Sequence, residues 1–350
     1  MGLTKYPGGV FASPNIGGGA GDVFSGLGNA VFFVDGDNGN DGNDGTDPAA
    51  AKLTIQSAVT AAAVANAAYK GGSTVYIKPK AITDATGDPA SYAEVVIIPF
   101  AGGERMRLIG CGTGRTQGGL PQIKMGSGSN ALLTIRAPGC SIEGIGFNGY
   151  GSTGGGILLD DDNSTKSAFG TTINGCHIKN CVGSTATNGL TGGGIMWSAQ
   201  GNAWQVSITN NMFYKNVSDI ALMGTLNTRP QDILIQGNVF QSSVTSSCDC
   251  NILGNGAGGG FQTITIDRNV FSDIPALSSG THATYIELTG TLGGMLTNNV
   301  FGIIASEAAS NVTFGAAGTV LIPTTVFMAG NQGEPDDSGA SNDFGGIFRT

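Results

Sequence analysis

The feature that most restricts the fold of this chain is a six-residue pattern, Ile-x-x-Asn-x-Phe, which recurs along its second half. Four copies occupy 208–213 (ITNNMF), 235–240 (IQGNVF), 266–271 (IDRNVF) and 296–301 (LTNNVF). Two looser copies precede them at 142–147 (IEGIGF) and 173–178 (INGCHI). The last position advances by 31, 35, 27, 31 and 30 residues, a period typical of solenoids and arrays. A second series interleaves with the first at 157–159 (ILL), 195–197 (IMW), 220–222 (IAL), 252–253 (IL) and 286–288 (IEL). Each repeat thus holds at least two short strands and no helical period. Helix-bearing solenoids are excluded, and a four-stranded propeller blade fits poorly. A parallel β-helix, with two or three strands per coil, fits well.

In such a coil Ile and Phe point inward and stack on their counterparts in the next coil. The core stack is expected to run through Phe147, Ile178, Phe213, Phe240, Phe271 and Phe301. Asn211, Asn238, Asn269 and Asn299 are expected at the bend, because Asn tolerates left-handed backbone angles, and to hydrogen-bond as a ladder along the axis. Cys111, Cys140 and Cys176 fall near interior positions and are expected to pack there as small apolar groups.

Composition removes several other classes. Charged residues make up 12 % of the 350 positions, against about 25 % in ordinary soluble chains, so a charge-rich disordered protein is excluded. Sixty glycines without a three-residue period exclude collagen. Six cysteines without a C-x-x-C pair make neither a disulfide scaffold nor a zinc site. No apolar run reaches the roughly 18 residues of a membrane helix. A net charge of −9, with sixteen basic residues scattered singly, argues against a nucleic-acid partner.

Residues 1–30 are rich in Gly and Pro, with isolated Val10, Phe11, Ile16, Val23, Phe24 and Leu27, and read as an extended docking arm. They hold no apolar stretch like that of a secretory signal, so the protein is expected to stay in a cytoplasm or to leave inside an assembled particle. Residues 31–34 (VFFV) read as an entry strand. The Asp/Gly-rich run 35–48 suits consecutive turns, with Asp35, Asp37, Asp41 and Asp44 as candidate Ca²⁺ ligands. The EF-hand register fails there, because the twelfth position from Asp37 is Pro48. Ile55, Ala58, Val59, Ala62, Ala65, Ala68 and Tyr69 share one helical face, started by Thr54 or by Asp47-Pro48 and stopped by Gly71-Gly72. Strands are expected at 74–78, 94–98, 106–109 and 132–136. The domain reading is therefore an arm at 1–30, an entry strand, turn segment and helix at 31–72, the solenoid at 73–330, and an extension at 331–350. In that extension Phe344, Ile347 and Phe348 are candidates to cover the last coil.

The run from Phe33 to Pro48, then 53–58 (LTIQSA) and a helix, resembles the entry to the pectate-lyase-like right-handed parallel β-helix superfamily, and the coils resemble its repeats. The likeness spans about 31–330. It implies an all-β, right-handed solenoid whose single N-terminal helix caps the open end and protects its edge. The opening 4–9 (TKYPGG) is similar to the start of β-helix proteins of tailed bacteriophages. That likeness implies a virion protein, assembled in the host cytoplasm, trimeric, joined to other virion proteins through residues 1–30 and meeting a cell-surface polysaccharide.

The superfamily's lyases need clustered acids with an Arg or Lys base, and its hydrolases need paired carboxylates. The connections from the Phe strand to the following Ile strand vary most in length, at 148–156, 179–194, 241–251 and 272–285, and are the natural place for a site. They carry few titratable groups. Asp160 and Asp162 share a strand face and are the candidate catalytic carboxylates, the alternative being a solvated turn. Asp219, Asp249 and Glu287 flank later strands of the same series, whereas Arg229, Arg268, His177 and His282 have no evident link to Asp160. Trp197 and Trp204 are readable as a sugar-stacking platform or as core. Two functions follow: a structural virion protein needing no cofactor, or a polysaccharide depolymerase of tailspike type, with Ca²⁺ the one metal worth considering.

Overall fold

The computed structural model describes residues 30–82, 89–114, 119–125, 128, 130–150, 154–160, 168–181, 193–198, 203–222, 230–242, 250–255, 262–273, 284–289, 293–301, 320–321 and 326–333. Within them the chain winds through three parallel sheets of ten, nine and eight strands. The template's Ile lies in the first sheet and its Phe in the second, while the interleaved Ile series builds the third. Successive coils pair in parallel, as Ile208 with Ile235, Ile266 and Leu296 in turn, and Ile157 with Ile195 and Ile220. The result is a right-handed parallel β-helix, the hand that parallel crossovers adopt.

The interior is a set of columns. Phe147, Ile178, Phe213, Phe240, Phe271 and Phe301 occupy successive rungs of the second sheet, each at most 1 % exposed. The rings of Phe213, Phe240, Phe271 and Phe301 lie face to face with centroids 4.9, 4.7 and 4.7 Å apart. That separation is the spacing of neighbouring strands, so the backbone register itself sets the stacking. Burying one such side chain contributes about 1.5–3 kcal/mol before any gain from stacking.

The bend between the first two sheets corrects one expectation. The template Asn does not take the left-handed conformation; the residue before it does. Asn210, Gly237, Arg268 and Asn298 have φ of 55°, 65°, 53° and 55°. The template Asn is thereby turned inward, fully buried, with its amide aimed along the axis.

Residues 30–34 form the first rung of the first sheet, paired with Ser73–Ile77, so the entry strand is continuous with the solenoid. Of the other expected early strands, Arg107–Gly110, Val96–Ile98 and Leu133–Ile135 lie within two residues of the expected bounds, and Ser91–Tyr92 and Gln122–Lys124 are two that were not expected. The helix spans Ile55–Tyr69, capped by the Thr54 hydroxyl, which accepts from Ser57 N. Asp47 instead caps a separate short turn, Pro48–Ala50. The helix ends on Lys70, a non-glycine residue at φ 63°, before Gly71 is reached. Its buried face is Ile55, Ala58, Val59, Ala62 and Ala63; Ala68 is exposed, and Asn66 is buried in its stead. The Asn66 amide donates to the Gly102 and Glu104 carbonyls and accepts from Gly72 N, tying the helix end to the first coils. Gln56 performs the matching task at the other end. Its carboxamide accepts from Ile97 N at 2.6 Å and donates to Ile97 O, standing in for a further strand at the open edge of the third sheet.

Cys111 is exposed, contrary to the expected interior position, whereas Cys140 and Cys176 are buried. Burial pushes the Cys140 thiol up to about 12. The Phe344, Ile347 and Phe348 reading lies outside the described residues, as does the arm at 1–29.

Candidate functional site

Polar side chains gather in four places, each built by the coil register. The first is the inner bend. Asn211 N and Nδ2 both donate to Asn238 Oδ1, at 2.9 and 3.1 Å. The same double contact joins Asn238 to Asn269, Asn269 to Asn299 and Asn299 to Asn331. Each Nδ2 also donates to a carbonyl of the preceding coil, as Asn238 does to Ile208 O. Asn331 is a rung that the sequence reading missed, because its copy (328–333, MAGNQG) keeps the Asn but lacks the aromatic.

The second place is the outer face of the third sheet. Leu159 pairs with Ile135, so the next residues, Asp160 and Arg136, are neighbours across the rung. Arg136 Nε lies 3.1 Å from Asp160 Oδ2, with the side chains 37 % and 17 % exposed. Ser198 follows in the same column, its N–H donating to Leu159 O. Arg136 was not foreseen as a partner, since a loop of unfixed length separates the two strands. Asp162 lies outside the described residues, so its relation to Asp160 is not part of this geometry. Asp249, Arg229 and His282 lie outside them too.

The third place is interior. Asp219 is 1 % exposed and accepts from Asn216 Nδ2 at 2.8 Å and Asn251 Nδ2 at 2.7 Å. Burial pushes its carboxyl up to about 7 despite the two donors. Asn216 Oδ1 in turn accepts from Cys181 N, a small copy of the Asn ladder at the bend into the third sheet. The sequence placed Asp219 beside the interleaved Ile series but gave no sign of its partners Asn216 and Asn251.

The fourth is the Asp-rich entry. Asp41 accepts from Leu53 N, Thr54 N and the Thr54 hydroxyl. Asp35 accepts from Asp37 N and Asn38 N and pairs with Lys78 at 2.7 Å. Asp37 accepts from Ala81 N and Asp44 from Thr46 N. Burial alone would raise the Asp35 and Asp41 carboxyls, but these donors outweigh it and lower both. All four candidate metal ligands accept from backbone N–H groups, Asp35 and Asp44 within their own turns and Asp37 and Asp41 from more distant segments, and among the described residues no three His, Cys, Asp or Glu side chains form a metal-holding group.

Elsewhere Arg268 pairs with Asp267, whose carboxylate also accepts from Gln236, Thr297 and Asn298. Those bonds outweigh burial and hold Asp267 below the usual carboxylate range. His177 is buried in the second sheet. The two Trp make no sugar platform: Trp197 is wholly buried with Nε1 donating to Ala203 O, and Trp204 packs edge-on against Phe169 at 5.2 Å.

No protein-family model matches the chain and no curated protein matches its sequence. Solved structures with a similar course include a pectate lyase from Xanthomonas campestris, at 13 % identity over 80 % of this chain and 78 % of that one, with a TM-score of 0.42. Others are ORF18 of Geobacillus virus E2 (13 %, 78 % and 58 %, 0.39) and the tailspike protein of E. coli bacteriophage HK620 in complex with a pentasaccharide (12 %, 83 % and 65 %, 0.35). What the chain shares with them is the wound parallel sheet, and the architecture to which the stacked Asn and Phe columns belong is the parallel β-helix.

Proposed function

We propose that this chain is a structural virion protein of a tailed bacteriophage. In this reading it is a β-helical decoration, fibre or spike, trimeric, anchored to other virion proteins by its N-terminal arm, assembled in the host cytoplasm, with a flank that meets a host-surface glycan. The observation that carries the reading is the commitment of polar groups to the frame. The template Asn amides, Asp41, Asp219 and Asp267 are all held by hydrogen bonds that link coil to coil or turn to helix. Such a frame is a stiff rod, suited to bearing load and presenting a surface, and fold likeness alone carries no chemistry. The test is removal of residues 1–29, which stops short of the first strand. The truncated chain should remain folded and should no longer join particles; normal incorporation would defeat the anchoring role.

A depolymerase is the second reading, favoured by one observation: Arg136 and Asp160 form a partly exposed acid–base pair on the third sheet. New reducing ends or unsaturated uronates released from acidic or neutral polysaccharides, and abolished in Asp160→Asn, would put the enzyme first.

A further inference from the structure

We propose that the root of the N-terminal arm seats in a groove on the outer flank of the capping helix, with Val23 and Phe24 as its apolar anchors. This goes beyond the anchoring reading, since it concerns the arm's hold on its own chain and leaves residues 1–19 to reach a partner. The groove, of about 410 Å³, runs between the helix and the open edge of the third sheet. Thr60, Val64 and Ala67 line one side and Ile97, Pro99 and Ala101 the other. Val64 is 70 % exposed, the most of any large apolar side chain among the described residues. Polar groups along the groove satisfy one another. Gln56 Oε1 accepts from Ile97 N, Gln56 Nε2 donates to the Thr60 hydroxyl, and that hydroxyl donates to Gln56 O. Pro99 has no N–H to offer. No residue of the helix or of the groove lining is charged. What the groove offers is apolar contact, so a charged partner would lose hydration there without gaining a bond.

Reach, winding and composition all name the chain's own arm as the occupant. The arm joins the solenoid beside the helix: Ala30 pairs with Ser73, whose hydroxyl donates to Ala62 O. Phe24 stands six residues before Ala30, a reach of about 20 Å in extended chain, against a helix diameter of about 10 Å. The winding points the same way. Along the solenoid a third-sheet strand ends from 5 residues (Thr289 to Gly294) to 13 residues (Leu159 to Thr172) before the next first-sheet strand begins. Val23 and Phe24 precede Ala30 by seven and six residues. Continuing the coil backward from the first strand therefore carries them to the side of the third sheet, where the groove lies. Composition agrees. Between Gly17 and Asn29 the side chains that could fill an apolar groove are Val23, Phe24 and Leu27, and Asp22 is the single charge. Seated there, the anchors strap the cap to the edge that Gln56 already ties down.

The test is limited proteolysis of the full chain with chymotrypsin, the cut sites being read by mass spectrometry. Phe11, further out on the arm, is the internal reference for Phe24, and both rates are normalised to those of the urea-unfolded chain. Wild type is compared with Val64→Glu and Ala68→Glu, two exposed helix positions of which only Val64 lines the groove. Glutamate is a good helix former, and hydrogen exchange over 57–68 verifies that the helix persists in both variants. In wild type, cleavage after Phe24 should be at least tenfold slower than after Phe11 and unchanged on dilution. Val64→Glu should abolish that difference and Ala68→Glu should keep it. Equal normalised rates at Phe11 and Phe24 in wild type overturn the strap. Equal acceleration by both variants also overturns it, because it marks a general loosening of the helix. Protection that fades on dilution overturns the arm of the same chain as occupant and gives the groove to a second copy.

Discussion

Asn211 and Asn238 lie 27 residues apart in sequence and are joined twice, the backbone N–H and the side-chain amide of one both donating to a single oxygen of the other. A buried carboxamide can be fully satisfied in this way only if an identical one follows in the next coil. The ladder therefore enforces the register that the Phe column exploits, and removal of either row should be felt along the axis.

Asn238→Ala removes the acceptor of Asn211 N and of one of the two Asn211 amide bonds, and the side-chain donor to Ile208 O, while the Asn211 amide keeps Ile173 O. The expected loss is about 2–4 kcal/mol, from more than one buried group left unpaired at about 1–3 kcal/mol each. Urea unfolding measures it, with exposed Asn210→Ala as the comparison. Equal losses for the two would show that the ladder adds nothing beyond ordinary bend propensity.

Phe240→Ala should cost about 3–5 kcal/mol, the range for a fully enclosed aromatic ring. Phe240→Leu keeps most of the volume but breaks two ring stacks, and should fall between wild type and the alanine variant. A leucine variant as weak as alanine would point to ring stacking, rather than cavity volume, as the dominant contribution.

Asp219 gives stability a pH slope of definite sign. Its folded pKa, about 7, lies above the unfolded value near 3.9, so the folded state binds the proton more tightly. Its contribution is fully present below about pH 4 and is lost as pH rises toward 7. Asp267 runs the other way: its lowered pKa adds stability that is present above the unfolded value and vanishes as pH falls through the folded one. Thermal midpoints between pH 4 and 8 should therefore decline in wild type, and the decline should flatten in Asp219→Asn. An undiminished slope in that variant would remove Asp219 as its source.

Lys70 ends the capping helix at φ 63°, a conformation that costs a residue with a Cβ about 1 kcal/mol. Lys70→Gly relieves that strain, with part of the gain returned to the unfolded chain's entropy. A stabilisation of a few tenths to about 1 kcal/mol is expected by denaturant unfolding, and a net loss would show that the lysine side chain holds the cap in some other way.

The coils were legible because their residues repeat. Ile208, Asn211 and Phe213 recur at nearly constant spacing, and an inward column is the one arrangement that buries all their copies. The bend was read one residue off, since Asn at both 210 and 211 hides which of them bears the left-handed angle. Asn331 escaped notice when Phe was lost from its copy.

The amino-acid sequence alone thus determined the wound architecture, its inner columns and the capping helix, because each follows from periodicity and local capping chemistry. Tertiary structure alone decided which charges meet. Arg136 with Asp160, Asn216 and Asn251 with Asp219, and Asp41 with Thr54 are pairs across turns of irregular length. Arg136 and Asp160, like Asp219 and Asn251, meet across adjacent rungs about 4.8 Å apart, and only the folded register says which residue stands there.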